Sequence, residues 1–256
     1  MGKNKLKKFA EMQTFPNVFQ CKAGEIADMQ KPYEMAGIWK TDFFKNEHPI
    51  VLELGCGRGE YTVGLARMFA DKNFIGVDIK GARIWAGAKE AYLDNITNVA
   101  FLRTNIEFIP RFFFPDEIDE IWITFPDPQM KKATKRLTSS FFMKRYQQIM
   151  KAGGLIHLKT DSPFLYQYTV EMVRVNGFET MFSTDDLYAS AELRDNPILN
   201  LKTHYEKQWL DRGMKIKYIC FRLDHKENLI EPEVDIEKDT YRSYGRNYSP
   251  KKETND

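Results

Sequence analysis

The chain has 256 residues, 43% of them hydrophobic and 14% aromatic, enough for one sizeable α/β domain with appendages and a continuous core. Lys plus Arg (38) nearly cancel Asp plus Glu (36), so the net charge of +2 argues against a globally basic nucleic-acid binder and leaves any basic surface local. Three scattered cysteines, Cys21, Cys56 and Cys220, argue against a disulfide framework and a zinc site, and no apolar run approaches the roughly 20 residues of a membrane span, so the expected setting is the cytoplasm, with no membrane contact.

Residues 1–32 are lysine-rich at the start (Lys3, Lys5, Lys7, Lys8) and turn-rich afterwards, without sustained periodicity, and read as a flexible basic arm. Such an arm is either a solvated tail or an electrostatic grip on a polyanion. Tyr33 to Phe44 reads as a short helix or amphipathic lead-in interrupted by Gly37. From Pro49 the pattern becomes strand, turn and helix in repetition. Ile50–Leu54, Phe74–Asp78, Val99–Arg103, Ile118–Thr124 and Leu155–Lys159 are apolar runs of strand length, with helices from Tyr61, over Gly81–Leu93 and over Phe164–Val175. Lys151-Ala152-Gly153-Gly154 reads as a helix stop and turn. Phe178–Ser183 makes a sixth strand, 185–200 a polar loop, and Tyr205–Leu210 a short helix. Met214–Arg222 alternates polar and apolar residues, as expected of a seventh strand buried on one face, antiparallel and near the sheet edge. Residues 225–256, mixed in charge and broken by Pro232 and Pro250, read as a poorly ordered C-terminal tail. The alternation predicts βαβ crossovers: a Rossmann-like α/β fold with a mostly parallel seven-stranded sheet, a terminal antiparallel strand and helices on both faces, in one domain over 33–224.

The turn Gly55-Cys56-Gly57-Arg58-Gly59-Glu60 links the first of these strands to its helix. Alone it could serve dehydrogenases, flavoproteins or methyltransferases. A dinucleotide fingerprint wants a third glycine where Glu60 stands, which weakens a pyrophosphate reading. S-adenosylmethionine has no phosphate and carries an ammonium and a sulfonium. Glu53, the acid at the end of the first strand, suits that positive end, while Gly55 and Gly57 allow close backbone approach. Asp78 ends the second strand, where an acid accepts from ribose hydroxyls, and Asn105 follows the third, placed for the adenine edge. Each has a bland alternative: a strand-end salt bridge for Glu53, a helix N-cap for Asp78 and a turn former for Asn105. Their joint placement after three successive strands favours the donor site of a class I methyltransferase. Cys56 has no histidine nearby in sequence to activate it and reads as a small residue tolerated in a tight turn.

Ile118–Thr124 runs into Phe125-Pro126-Asp127-Pro128-Gln129-Met130-Lys131-Lys132-Ala133-Thr134-Lys135-Arg136. An acid held between two prolines at the carboxyl edge of a sheet, followed by four cations, forms a coherent acceptor site for a nucleic acid. The alternative is a solvated basic stretch behind an ordinary proline turn. His157 alternates with apolar residues and reads as a packed core histidine.

On Leu52–Glu60, on Phe125-Pro126-Asp127-Pro128 with its lysines, on Thr160-Asp161 and on Thr203-His204-Tyr205-Glu206 with Arg212-Gly213, the chain resembles the bacterial tRNA (guanine-N7)-methyltransferases over roughly residues 49–222. The resemblance implies that Glu53, Asp78, Asn105 and Asp127 contact S-adenosylmethionine, with Asp127 also the catalytic residue. It further implies that Lys131, Asp161, Thr203, His204, Tyr205 and Glu206 hold the substrate guanosine. The implied reaction is methyl transfer to N7 of a tRNA guanine, usually guanine 46 of the variable loop, releasing S-adenosylhomocysteine. The N-terminal arm would help grip the tRNA, and no metal would take part. Two departures stand out: Gln129-Met130 replaces a common Trp-His pair, and Asn105 replaces a frequent Asp. An amino-methylating base methyltransferase, a noncatalytic RNA-binding subunit and a dehydrogenase are the rival readings, and the sequence leaves monomer or homodimer open.

Overall fold

The structure, a computed structural model, describes residues 2–21, 24, 31–191 and 196–240. Expectations for 22, 23, 25–30, 192–195 and 241–256 lie outside the described residues. Eight strands form one sheet: β1 (Val18–Gln20), β2 (Ile50–Leu54), β3 (Asn73–Asp78), β4 (Val99–Arg103), β5 (Ile118–Thr124), β6 (Met150–Thr160), β7 (Thr180–Thr184) and β8 (Lys217–Leu223). They lie in the order β1-β4-β3-β2-β5-β6-β8-β7. β8 runs antiparallel to both neighbours, and the other pairings are parallel. The helices are α1 (Gly2–Met12), α2 (Glu60–Met68), α3 (Gly81–Leu93), α4 (Ser140–Tyr146), α5 (Pro163–Val175), α6 (Pro197–Asn200) and α7 (His204–Leu210). No helix among the described residues is long and apolar enough to cross a membrane.

β2 is buried at every position, as a parallel strand between two helical layers must be, which is why its sequence shows no alternation. Alternation reappears in the packing. Ile50, Leu52 and Leu54 join the core formed with Trp39, α4 and α5, whereas Val51 joins the core formed with α2 and α3. Glu53 therefore shares the face of Val51, beneath α2.

Both ends of the chain depart from the sequence expectation. The first twenty residues, expected as a flexible arm, carry α1 and β1. Met12 and Phe15 are buried, Glu11 pairs with Lys89 at 2.6 Å and accepts from Trp85 Nε1 at 2.8 Å, and β1 extends the sheet beside β4. A three-residue strand is too short to show a period, so the expected seven strands become eight. Within 225–256, residues 225–240 form a strap rather than a loose tail. Ile230 N donates to Asn176 Oδ1 at 2.7 Å, Glu231 accepts from Ser140 Oγ at 2.8 Å, and buried Asp239 accepts from Phe164 N at 3.0 Å. These bonds join residues far apart in sequence and leave no local periodicity.

Smaller differences have local causes. Lys151–Gly154 lies inside β6, where Gly153 takes φ +75° and the register against β5 shifts, so the glycine pair makes a bulge rather than a turn. The lead-in before β2 closes as a π-helical stretch over Trp39–Phe44. The antiparallel strand lies one place in from the edge, which β7 occupies.

Candidate active site

The chain leaves β2 toward β3 and β4 on one side and continues through β5 and β6 on the other, so the carboxyl end of β2 lies at the topological switch point where α/β sheets open a crevice. The glycine turn is fixed there by its own amides. Gly55 N and Cys56 N donate to Val77 O at 2.8 and 3.0 Å, and Gly57 N donates to Asp78 Oδ2 at 2.9 Å. At Gly59, φ +74°, an added Cβ would stand 2.5 Å from the Phe101 ring and 3.3 Å from Gly87 Cα. Gly59 thus allows the close approach of α3 that a third fingerprint glycine would otherwise provide.

Glu53 lies under the turn, almost wholly buried. Its Oε2 accepts from Thr62 N at 2.9 Å and from Thr62 Oγ1, and its Oε1 accepts from Thr124 Oγ1 at 2.6 Å. Burial pushes its carboxyl up to about 7, against the hydrogen bonds from Thr124 and Thr62 and with a smaller upward push from Asp78. The carboxylate ties β2, β5 and the first turn of α2 together.

A cavity of about 450 Å³ opens beside the turn, lined by Gly55, Asp78, Ile79, Thr104 and Asn105 and by residues of later elements that include Glu107, Gln129, Lys132 and Lys135. Its size suits a nucleoside-like ligand. Of the expected donor contacts, it brings together Gly55, Asp78 and Asn105; Glu53, Gly57 and Asp127 are not part of its wall. Asp78 accepts from Gly57 N and, at 2.7 Å, from Lys80 N, leaving lone pairs on a two-oxygen acceptor. Asn105 Oδ1 accepts from Glu107 N at 3.2 Å, so the turn-forming role is real and coexists with its place on the wall. Thr104, which the sequence did not single out, is buried on the same wall and its hydroxyl has no partner.

On the acceptor side, Asp127 is exposed and accepts from Gln129 N at 3.1 Å. Phe125 and Gln129 both take φ +49°, a strained setting for side chains of this size, and they bracket the acid. Arg136 holds the turn by donating to Gln129 O (3.3 Å) and Met130 O (3.2 Å) while its guanidinium lies over Phe164 and Tyr168. Lys135 pairs with Glu107. Of the four cations in this run, Lys131 and Lys132 are exposed and take part in no ion pair among the described residues. Tyr205, exposed on α7, meets Phe125 edge-on at 5.8 Å, joining the Thr203–Glu206 block to the proline turn.

The rest of that block is structural in its contacts. Thr203 Oγ1 caps α7 by accepting from Glu206 N at 3.1 Å, and His204 is exposed, its N donating to Glu60 Oε2 at 2.7 Å. Glu206 is fully buried, paired with Lys159 Nζ at 2.9 Å and bonded by Tyr188 Oη; its Oε2 has no partner. Asp161 is fully buried after β6, its carbonyl accepting from Lys217 Nζ at 3.3 Å. Lys159 and Tyr188 were not legible as site residues, although a lysine amid the apolar residues of β6 is a signal that could have marked the first.

Cys56 and His157 pack as structural residues. Cys56 is buried, and burial followed by Glu53 and Asp78 raises its thiol well above the ordinary range. His157 stacks on Trp122 at 4.0 Å. Burial opposes its charge, but Cys220 Sγ and Glu120 Oε1 (3.2 Å) raise it to about 9. Among the described residues no group of three or more His, Cys, Asp or Glu is arranged to hold a metal.

A family model described as putative methyltransferase matches residues 47–219. A tRNA (guanine-N(7)-)-methyltransferase of Bacteroides fragilis (strain YCH46) is 58% identical over 246 residues, 96% of this chain and 96% of that protein. One of the same name from Bacteroides thetaiotaomicron is 59% identical over 246 residues, again 96% of each. Among solved structures, the 16S rRNA methyltransferase KamB superposes with a TM-score of 0.57 at 12% identity, covering 75% of this chain and 96% of that one, a likeness of fold: a Rossmann-like class I methyltransferase architecture.

Proposed function

The chain belongs to the tRNA (guanine-N7)-methyltransferase family, and from that premise we propose that it transfers a methyl group from S-adenosylmethionine to N7 of guanine 46 in the tRNA variable loop. The observation that carries this reading is the nucleoside-sized cavity lined by Asp78, Thr104 and Asn105 and also by Gln129, two residues from Asp127. When bound, S-adenosylmethionine supplies an electrophilic methyl on its sulfonium. Asp78 would accept from the ribose hydroxyls and Asn105 and Thr104 would hydrogen-bond the adenine, in a cavity that Ile79 and Ile106 also line. Glu53 favours the positive end from beneath the turn.

N7 of neutral guanine carries a free in-plane lone pair, so no base is needed and alignment with electrostatics governs the rate. Asp127 accepts from the N1–H and N2–H edge and favours the positive charge that grows on the ring. Tyr205, exposed beside Phe125, reaches the acceptor side from the Thr203–Glu206 segment, while buried Asp161 and Glu206 brace the elements around it. Lys131 and Lys132, with Lys5, Lys7 and Lys8 on α1, grip phosphates.

Incubation with labelled S-adenosylmethionine and unmodified tRNA, followed by mapping of alkali-labile N7-methylguanosine, tests the proposal. Label at guanine 46 is expected; label on another nucleotide or on protein would overturn it.

A further inference from the structure

The donor turn and the acceptor block are physically joined, and the joint is the first turn of α2. Thr62 binds Glu53 beneath the glycine turn. Tyr61 Oη donates to Ile198 O at 3.0 Å, and Lys159 Nζ donates to Leu199 O at 2.9 Å and Leu201 O at 3.1 Å. At Gly64 an added Cβ would stand 2.6 Å from the Leu201 side chain, so the segment rests directly on α2. Glu60 completes the joint: its Oε2 accepts from His204 N at 2.7 Å, inside the Thr203–Glu206 block. Arg58 Nε lies 3.9 Å from its other oxygen.

Glu60 differs from the other tethers in its place on the chain. It directly follows Gly59, so any shift of the glycine turn on donor binding moves its carboxylate and the His204 amide with it. We propose that Glu60 is a positioning residue that couples occupancy of the donor cavity to the placement of the acceptor block, so that donor and tRNA bind cooperatively. This rests on the tRNA methyl-transfer reading.

The test measures tRNA affinity with and without saturating S-adenosylhomocysteine, and the reverse. In the wild type each ligand should tighten the other by the same factor, about fivefold or more, because coupling is reciprocal. Glu60→Ala should bring that factor close to one while S-adenosylhomocysteine alone still binds within about twofold of wild type, which also shows that the variant is folded. Glu60→Gln keeps an oxygen that accepts from His204 N and should retain the coupling. Full coupling in Glu60→Ala would overturn the proposal, and so would Glu60→Gln behaving like alanine, because the ionic contact with Arg58 would then be responsible. A wild type that methylates tRNA yet shows no coupling would sink the role of Glu60 alone, whereas failure to methylate tRNA would remove the reading beneath it.

Discussion

Glu53→Gln is the substitution whose effect can be worked furthest. Gln keeps the shape of Glu53, can accept from Thr62 with its oxygen and can donate to Thr124 Oγ1 with its amide, but it cannot ionise. In the folded protein burial raises the Glu53 carboxyl from the usual 4.5 to about 7. At about 1.4 kcal/mol for each pH unit, that gap amounts to roughly 3 kcal/mol. The sign follows from linkage. A raised folded value means the native state holds the proton more tightly, so the stabilisation is complete below pH 4.5 and is lost as pH rises through about 7. Relative to wild type, the variant should therefore gain stability with pH, by about 2–3 kcal/mol between pH 5 and pH 8.5. Urea denaturation at several pH values reads this difference directly. In parallel, wild-type affinity for cationic S-adenosylmethionine should rise from pH 6 to pH 7.5, less so for S-adenosylhomocysteine, which keeps only the ammonium, and not in the variant. A stability difference that stays flat across this range would refute the assignment of a buried, costly charge under the turn.

Other substitutions probe separate parts of the site. Lys159→Met leaves the Glu206 carboxylate buried without its cation and should destabilise by about 3–5 kcal/mol, with much of that recovered when Glu206→Gln is added; denaturation of the single and double variants checks it. Asp239→Ala removes an acceptor from Phe164 N and Ser162 Oγ at the start of α5 and should cost about 1 kcal/mol, seen as a lower urea midpoint. Asp127→Ala should abolish turnover while S-adenosylhomocysteine affinity, followed by calorimetry, changes little. Joint replacement of Lys5, Lys7 and Lys8 by Gln should flatten the salt dependence of tRNA binding, and an unchanged slope would remove α1 from the interface.

Part of the wall of the candidate donor cavity was legible along the chain because it is built where strands end. Parallel strands buried on both faces leave continuous apolar runs, and the polar residues that close each run fall at the carboxyl edge by necessity; Asp78 and Asn105 were readable for that reason. Glu53 was readable as an acid in the right place, but the two threonines that enclose it come from α2 and β5 and carry no sequence mark.

Glu60 shows the division most clearly. By itself the sequence determined the alternating architecture, the position of the glycine turn, the proline-framed acid and the absence of a third fingerprint glycine. Only the tertiary structure decided what Glu60 binds in that glycine's place, because its partner is the amide of His204, 144 residues away in the chain. The same holds for Lys159 with Glu206 and for Asp239 with Ser162. Local periodicity reports which face of a strand or helix is buried, whereas a bond between distant polar groups exists only once the sheet has brought their elements together.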